Sequence, residues 1–373
     1  MSTTRLILQA RVNLFSKPGG DTIQINDLKD GLTRRGLRVE ISTELKPPLD
    51  SYDIVHLFNI TRVHETYIQF TNAKRQRKPV VCSTIYHPLE EYNRKGRYGL
   101  GRLVFRIVRS DQGIEYVRGL FNALRDWRQS PSILKQWEVG YRKQQELVLA
   151  GADKIIFGSE SEKQSVFSHF SRIAPRIDYD IIKIGLPPTC QGGDAHFFEN
   201  SYGLKNFVLC VGRIEDLKNQ LNLLKAMKGL SMPVVFVGSM NSAHHRYGKE
   251  VLREINKSND YHFLGQLSRE RLASAYAAAK VHVLPSWFET TGLAGLEAGV
   301  AECNVVSTDR GYARDYLKDY AWYCDPSDLC SIRNAVKEAY DSPIRPGLRT
   351  HVRRELSFQK MLECFIQVYH ELV

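Results

Sequence analysis

The feature that most restricts what this chain can fold into is an alternation, run through twice, of short β-branched segments and stretches with helical periodicity. The apolar runs "RLILQA", "LRVEIS", "YDIVHLF", "KPVVCSTI", "DKIIFGS" and "DIIKIG" are separated by helical patterns such as Asp21 to Arg35, which Gly36 stops, and Ser161 to Phe170. Strands that alternate with helices in this way build a doubly wound parallel sheet. After "GLPPTCQGGD", Gly185 to Asp194, the pattern restarts with "FVLCVG", "VVFVG", "YHFLG", "VHVLPS" and "NVVST". The Pro/Gly-rich stretch reads as a linker between two Rossmann-like halves. A length of 373 residues fits that division, because single cores stop growing well below it. The end of the chain has Ser357 as a candidate N-cap and an apolar stripe of Met361, Leu362, Phe365, Val368, Tyr369 and Leu372, so an amphipathic closing helix must dock on another surface.

Composition removes several classes. With 43% hydrophobic and 25% charged residues the chain is an ordinary globular protein rather than a disordered one. No run of 18 apolar residues exists, and the start "MSTTRLILQARVNLF" enters a strand-like stretch without a signal-peptide pattern, so the expectation is a protein that does not span or cross a membrane. Seven cysteines, odd in number and scattered without a CxxC pair, fit free thiols in a reducing cytoplasm. No HxxxH, Cys/His cluster or EF-hand spacing is present, and no metal is expected.

Two stretches in the second half carry chemistry. In "PSWFETTGLAGLEAG", Pro285 to Gly299, the carboxylates Glu289 and Glu297 stand on either side of a glycine-bearing turn, where the strand Val281 to Leu284 hands over to a helix read over Gly292 to Ala298. Ligand crevices of open parallel sheets lie at such places, where loop backbone and helix amides meet. In "VGRIEDLKNQ", Arg213 follows the strand "FVLCVG" and Lys218 stands five residues on, at the entry of a helix beginning near Asn219. A planar fork of donors, a point charge and a helix N-terminus together suit a diphosphate.

Taken together, the G-R-x4-K element, "VHVLPS", the E-x7-E pair, "LEA" and the two-domain βα order resemble the GT-B retaining glycosyltransferases of family 4, the glycogen-synthase-like group; the likeness is specific over about Phe207 to Pro326. The resemblance implies an α/β fold of two Rossmann-like domains facing a central cleft. It places an acceptor-side domain at 1–190 with a basic helical insertion at about 88–143, a nucleotide-sugar domain at 191–356, and a helix at 357–373 packing on the first domain. It implies that Arg213 and Lys218 hold the donor diphosphate, that Glu289 contacts hydroxyls of the donor sugar, that Glu297 holds the ribose, and that amides around Thr290, Thr291, Gly292 and Leu293 face the phosphates. Gly19 and Gly20 of "SKPGGDTIQ" resemble the family's glycine-rich loop, and His87 of "STIYHP" its histidine facing the donor sugar. The donor is a nucleoside-diphosphate sugar, expected to be UDP-linked, with no further cofactor. Where the family commonly has a glycine after the "EA" helix, this chain has Glu302. The triplet Asp178 to Asp180 imitates the metal-binding DxD of the other large glycosyltransferase fold, but lies in a polar turn and reads as solvated.

The segment Asn93 to Lys143 holds 12 Lys/Arg against 4 Asp/Glu, a net +8 of the chain's formal +11. Arg102, Arg106 and Arg109 recur at helical spacing, with Leu103, Phe105, Ile107, Val108, Tyr116, Leu120, Phe121, Leu124 and Trp127 beside them. Basic residues among aromatic ones suit an anionic membrane surface, which would bring a lipid-linked glycan acceptor within reach and place the protein peripherally on the inner face of the membrane. The alternative is a helical insertion with a solvated basic face. Nucleic acid is the less favoured partner for the positive charge, since no helix-turn-helix, zinc finger or RNP-type pattern appears. A nucleic-acid-modifying transferase and a nucleotide-sugar epimerase of the same fold complete the alternatives.

Overall fold

The computed structural model describes residues 4–108, 111–125, 130–187 and 192–373. Its chain divides into two units, one of Met1–Pro88, Val108–Ile184 and Gln359–Val373, the other of Leu89–Ile107 and Gly185–Phe358. The second unit therefore begins at Gly185 and also takes in Leu89–Ile107, which the sequence reading placed within an insertion of the first domain.

The first unit is built on six strands, β1 (Arg5–Gln9), β2 (Arg38–Ser42), β3 (Ile54–Phe58), β4 (Val80–Ser83), β5 (Lys154–Phe157) and β6 (Tyr179–Ile181). They pair in the order β2-β1-β3-β4-β5-β6, every pair parallel. The strands are near-continuous apolar runs because helices cover both faces of such a sheet; Ile7, Val55, Leu57, Val80 and Ile155 are fully buried in one cluster. The sequence run Asp180 to Gly185 joins the ladder only at its start. Winding reverses between β1 and β3, so the loops after these two strands diverge and leave a crevice.

The helix Phe358–His370 lies on this sheet. Its Tyr369 hydroxyl bonds Nδ1 of buried His56 at 2.8 Å, and Phe365 and Tyr369 pack their rings against the His56 imidazole. Ion pairs Arg35–Glu363 and Lys154–Glu371 flank it.

The second unit carries β7 (Val208–Val211), β8 (Val234–Val237), β9 (Tyr261–Phe263), β10 (Val281–Leu284), β11 (Asn304–Thr308) and β12 (Trp322–Cys324). The order is β12-β11-β10-β7-β8-β9, again all parallel. Here the winding reverses between β7 and β10. Val208, Phe236, Val281, Val283 and Val306 centre one core face, against the helices Gln220–Met227 and Leu329–Asp341. Both sheets and their helices give the expected α/β fold of two Rossmann-like halves.

Candidate functional site

The residues singled out in the second half gather at the switch point between β7 and β10. Arg213 follows β7, Lys218 ends the 3-10 turn Asp216–Lys218, and Glu289 follows β10. Lys218 Nζ donates to Glu289 Oε1 at 2.6 Å, although the two stand 71 residues apart. Glu289 is buried and Lys218 mostly so. Arg213 is two-fifths exposed and its Nη2 lies 3.1 Å from Glu215 Oε1.

Hydrogen bonds to backbone carbonyls fix the loop that carries these cations. Asn219 takes the left-handed conformation at φ 62° and its Nδ2 donates to Pro285 O and Pro326 O, which ties the β7 loop to the loops after β10 and β12. The Trp287 N–H donates to Leu217 O, and Gln220 Nε2 to Arg213 O. Asp216 is buried and receives the Tyr92 hydroxyl, the Tyr98 N–H and the His244 ring. Burial alone would push its carboxyl up, but His244 and Tyr92, with the charge of Arg97, bring it below the usual carboxylate range.

Thr290, Thr291 and Gly292 form the turn into the helix Leu293–Val300. Gly292 is its N-cap at φ 71°, a conformation glycine adopts without the Cβ penalty. Glu297, on that helix, accepts from the Tyr276 hydroxyl at 3.0 Å. Behind it lies His282 on β10, whose ring nitrogens have no hydrogen-bond partner among the described residues and whose burial drives its pKa down to about 3. Past the helix, Glu302 adopts φ 62° and pairs with Arg349 at 2.7 Å, so a glutamate holds the left-handed position that usually falls to glycine.

In the first unit the loops after β1 and β3 meet around a small pocket lined by Arg11, Asp21, Asn59, Arg62, Glu65 and Ile85, among others. Arg11 pairs with Asp21 at 2.6 Å and Arg62 with Glu65 at 3.6 Å. Gly19 caps the helix Gly20–Arg34 in extended conformation, its N–H donating to Thr22 Oγ1, and a Cβ on exposed Gly20 would meet nothing. His87 lies beyond β4, with Nδ1 2.9 Å from Ile85 O. A carbonyl only accepts, so Nδ1 carries the hydrogen and Nε2 is the acceptor in the neutral ring. Ile85 is left-handed at φ 41°, a strained conformation for a β-branched residue. Buried Glu162 holds the strained turn by accepting from Thr84 Oγ1, the Tyr86 N–H and the Gly158 N–H.

Asp178 and Asp180 are tied to Lys154 at 3.0 and 3.5 Å. Among the described residues no group of three or more His, Cys, Asp or Glu is arranged to hold a metal, and no helix is long and apolar enough to cross a membrane. Within the basic segment, Leu103, Leu120, Phe121, Leu134 and Trp137 are exposed. Arg109 and Trp127 lie outside the described residues, as do the side chains of Phe105, Arg106, Ile107 and Leu124.

Sequence reading missed Tyr92, Asp216 and Arg310, which contact the site loops, because nothing local marks a residue whose partner is a hundred or more positions away. Asn219 left a signal: asparagine tolerates the left-handed conformation better than most residues.

Two parallel Rossmann-like units, each with charged side chains at its switch point, define the GT-B class of fold. Residues 194–355 match the family described as glycosyl transferases group 1. A D-inositol 3-phosphate glycosyltransferase of Rhodococcus erythropolis is 28% identical over 178 residues, 44% of this chain and 40% of that protein, so the chain spans less than half the length of this relative. Among solved structures, sucrose-phosphate synthase from Thermosynechococcus elongatus superposes with a TM-score of 0.73 at 17% identity over 99% of each chain. Anabaena HepE in complex with UDP and glucose gives 0.69 at 14% identity, over 99% of this chain and 100% of that one. At these identities the structural likeness is one of fold.

Proposed function

We propose that the chain is a retaining glycosyltransferase that moves a sugar from a nucleoside-diphosphate sugar, UDP-linked, to a hydroxyl of a glycan acceptor. The observation that carries the reading is the meeting of Lys218 and Glu289 at 2.6 Å on the switch point of the second sheet, with Arg213 in the same loop as Lys218. The HepE structure, solved with UDP and glucose, supports a uridine donor by likeness of fold. In this reading Arg213, Lys218 and the amides that open the helix Leu293–Val300 meet the charge growing on the departing diphosphate. Glu289 orients the sugar ring and Glu297 holds the ribose. The acceptor oxygen bonds to the anomeric carbon as the bond to the phosphate breaks, on the same face, and the acceptor proton passes to the departing phosphate oxygen. His87 faces the donor sugar in this reading. All positive charge comes from side chains and a helix terminus, so turnover should persist in EDTA; complete loss restored by magnesium or manganese would refute that. Transfer to an added acceptor, rather than isomerisation without one, separates this reading from an epimerase.

The acceptor in this proposal is lipid-linked, and the protein sits peripherally on an anionic membrane. Leu120, Phe121, Leu134 and Trp137 are exposed on neighbouring helices that also carry Arg118 and Lys135, paired with Glu115 and Glu138, which supports an apolar surface with basic residues on the same helices. The protein should pellet with anionic but not zwitterionic vesicles, and less so in high salt. Equal pelleting with both, or none, would remove the membrane from the account.

A further inference from the structure

The segment Glu91–Tyr98 belongs to no motif of the site, yet it touches the loops after β7 and β10 that build it and the neighbouring loop after β11. It is part of the second unit, and Tyr92–Gly96 forms one π-helical turn, a rare conformation frequent at functional sites. On the loop after β7, the Tyr92 hydroxyl donates to Asp216 Oδ1 at 2.5 Å and the Tyr98 N–H to Asp216 Oδ2 at 3.0 Å. On the loop after β10, Gly96 lies so close to Trp287 that a Cβ would stand 2.6 Å from the indole Nε1. On the loop after β11, Glu91 takes Arg310 Nε at 2.6 Å, while the Arg310 carbonyl receives the Glu289 N–H. Asp216 opens the turn that ends in Lys218, and Trp287 precedes Glu289 by two residues.

We propose that this strap, through the pair Tyr92 and Asp216, positions the Arg213–Lys218 loop for the donor diphosphate. The proposal rests on reading the site as a nucleotide-sugar site. Asp216 is 4% exposed and receives two of its three donors from the strap. If the strap lifts, a buried carboxylate loses those donors and the turn must shift to reach water, which moves Lys218. Because coupling is reciprocal, a diphosphate that fixes the loop also holds the strap down. Tyr92 and Asp216 are positioning residues in this scheme; neither touches the ligand.

The test is calorimetry with whichever of UDP, ADP and GDP binds tightest, against the corresponding nucleoside. Tyr92→Phe should weaken the diphosphate about fivefold to tenfold and leave the nucleoside unchanged. In a Lys218→Ala background the same substitution should change the diphosphate affinity by less than about twofold, because coupled residues are not additive. Trypsin cleavage after exposed Arg94 and Lys95 should slow when the diphosphate saturates the protein. Glu91→Gln, which loosens the other anchor, should repeat the effect. If Lys218→Ala weakens the diphosphate but Tyr92→Phe and Glu91→Gln do not, the strap proposal falls and the site reading stands. Equal loss of nucleoside and diphosphate would make the strap merely structural and also overturn it. If the wild type binds no diphosphate, the site reading falls and takes the strap with it.

Discussion

Removing Lys218 should harm the fold more than removing Glu289, and removing both should harm it less than the two losses summed. The inequality follows from burial: the Glu289 side chain is 9% exposed and the Lys218 side chain 20%. Lys218→Ala leaves a buried carboxylate without its cation, whereas Glu289→Ala leaves an ammonium on a flexible stem that can turn toward water. Two unit charges about 4 Å apart attract by ~4 kcal/mol at an effective dielectric of 20, and desolvation takes back roughly half. The expected costs are ~2–3 kcal/mol for Lys218→Ala and ~1 kcal/mol for Glu289→Ala, with a coupling of ~2 kcal/mol between them. Urea unfolding of the wild type, both single variants and the double variant, in the absence of ligand, measures all three. Additivity within about 0.5 kcal/mol would refute the reasoning, as would a larger loss for Glu289→Ala.

Acid should destabilise the protein through His56, His64 and His282, which burial holds neutral with pKa values down to about 3, about 4 and about 3. Their folded pKa values lie below the unfolded value of about 6.5, so the unfolded chain binds protons that the folded one refuses; stability is intact above about pH 6.5 and falls between there and about pH 4 by ~1.4 kcal/mol per pH unit for each histidine. His282→Gln should reduce the slope of unfolding free energy against pH by about that amount, and an unchanged slope would contradict it. Glu302→Val should cost ~1–2 kcal/mol because a β-branched residue resists the left-handed conformation, while Glu302→Gly stays within about 0.5 kcal/mol of wild type; equal thermal shifts would count against the assigned geometry. Glu297→Ala should weaken binding of the bare nucleoside diphosphate through loss of the ribose contact, and an unchanged calorimetric affinity would refute that role.

Much of the fold was legible because buried parallel strands announce themselves as β-branched runs ended by Gly or Pro, as in "VHVLPS" and "FVLCVG". The strand Trp322–Cys324 was not, being three residues long and lacking Val and Ile. Strand order could not be read at all, because it depends on which side of β7 the chain lays β10, and only that order puts Lys218 beside Glu289. The Glu302 position was visible as a missing glycine, and the structure adds that a glutamate takes the left-handed backbone there. The strap was invisible: Tyr92 and Asp216 stand 124 residues apart, and an aspartate in "EDLK" reads as a polar loop residue until its burial is known.

The central claim is that Arg213 and Lys218 hold the diphosphate of a sugar nucleotide. Its most direct test is calorimetric titration of UDP and UDP-sugars into the wild type, Arg213→Ala and Lys218→Ala, with circular dichroism confirming that each variant is folded. A charge-assisted hydrogen bond is worth about 1.5–3 kcal/mol, so each variant should lose about tenfold to hundredfold in affinity for the diphosphate while uridine binding stays as it was. Affinity for the diphosphate within about twofold of wild type in both folded variants would contradict the claim.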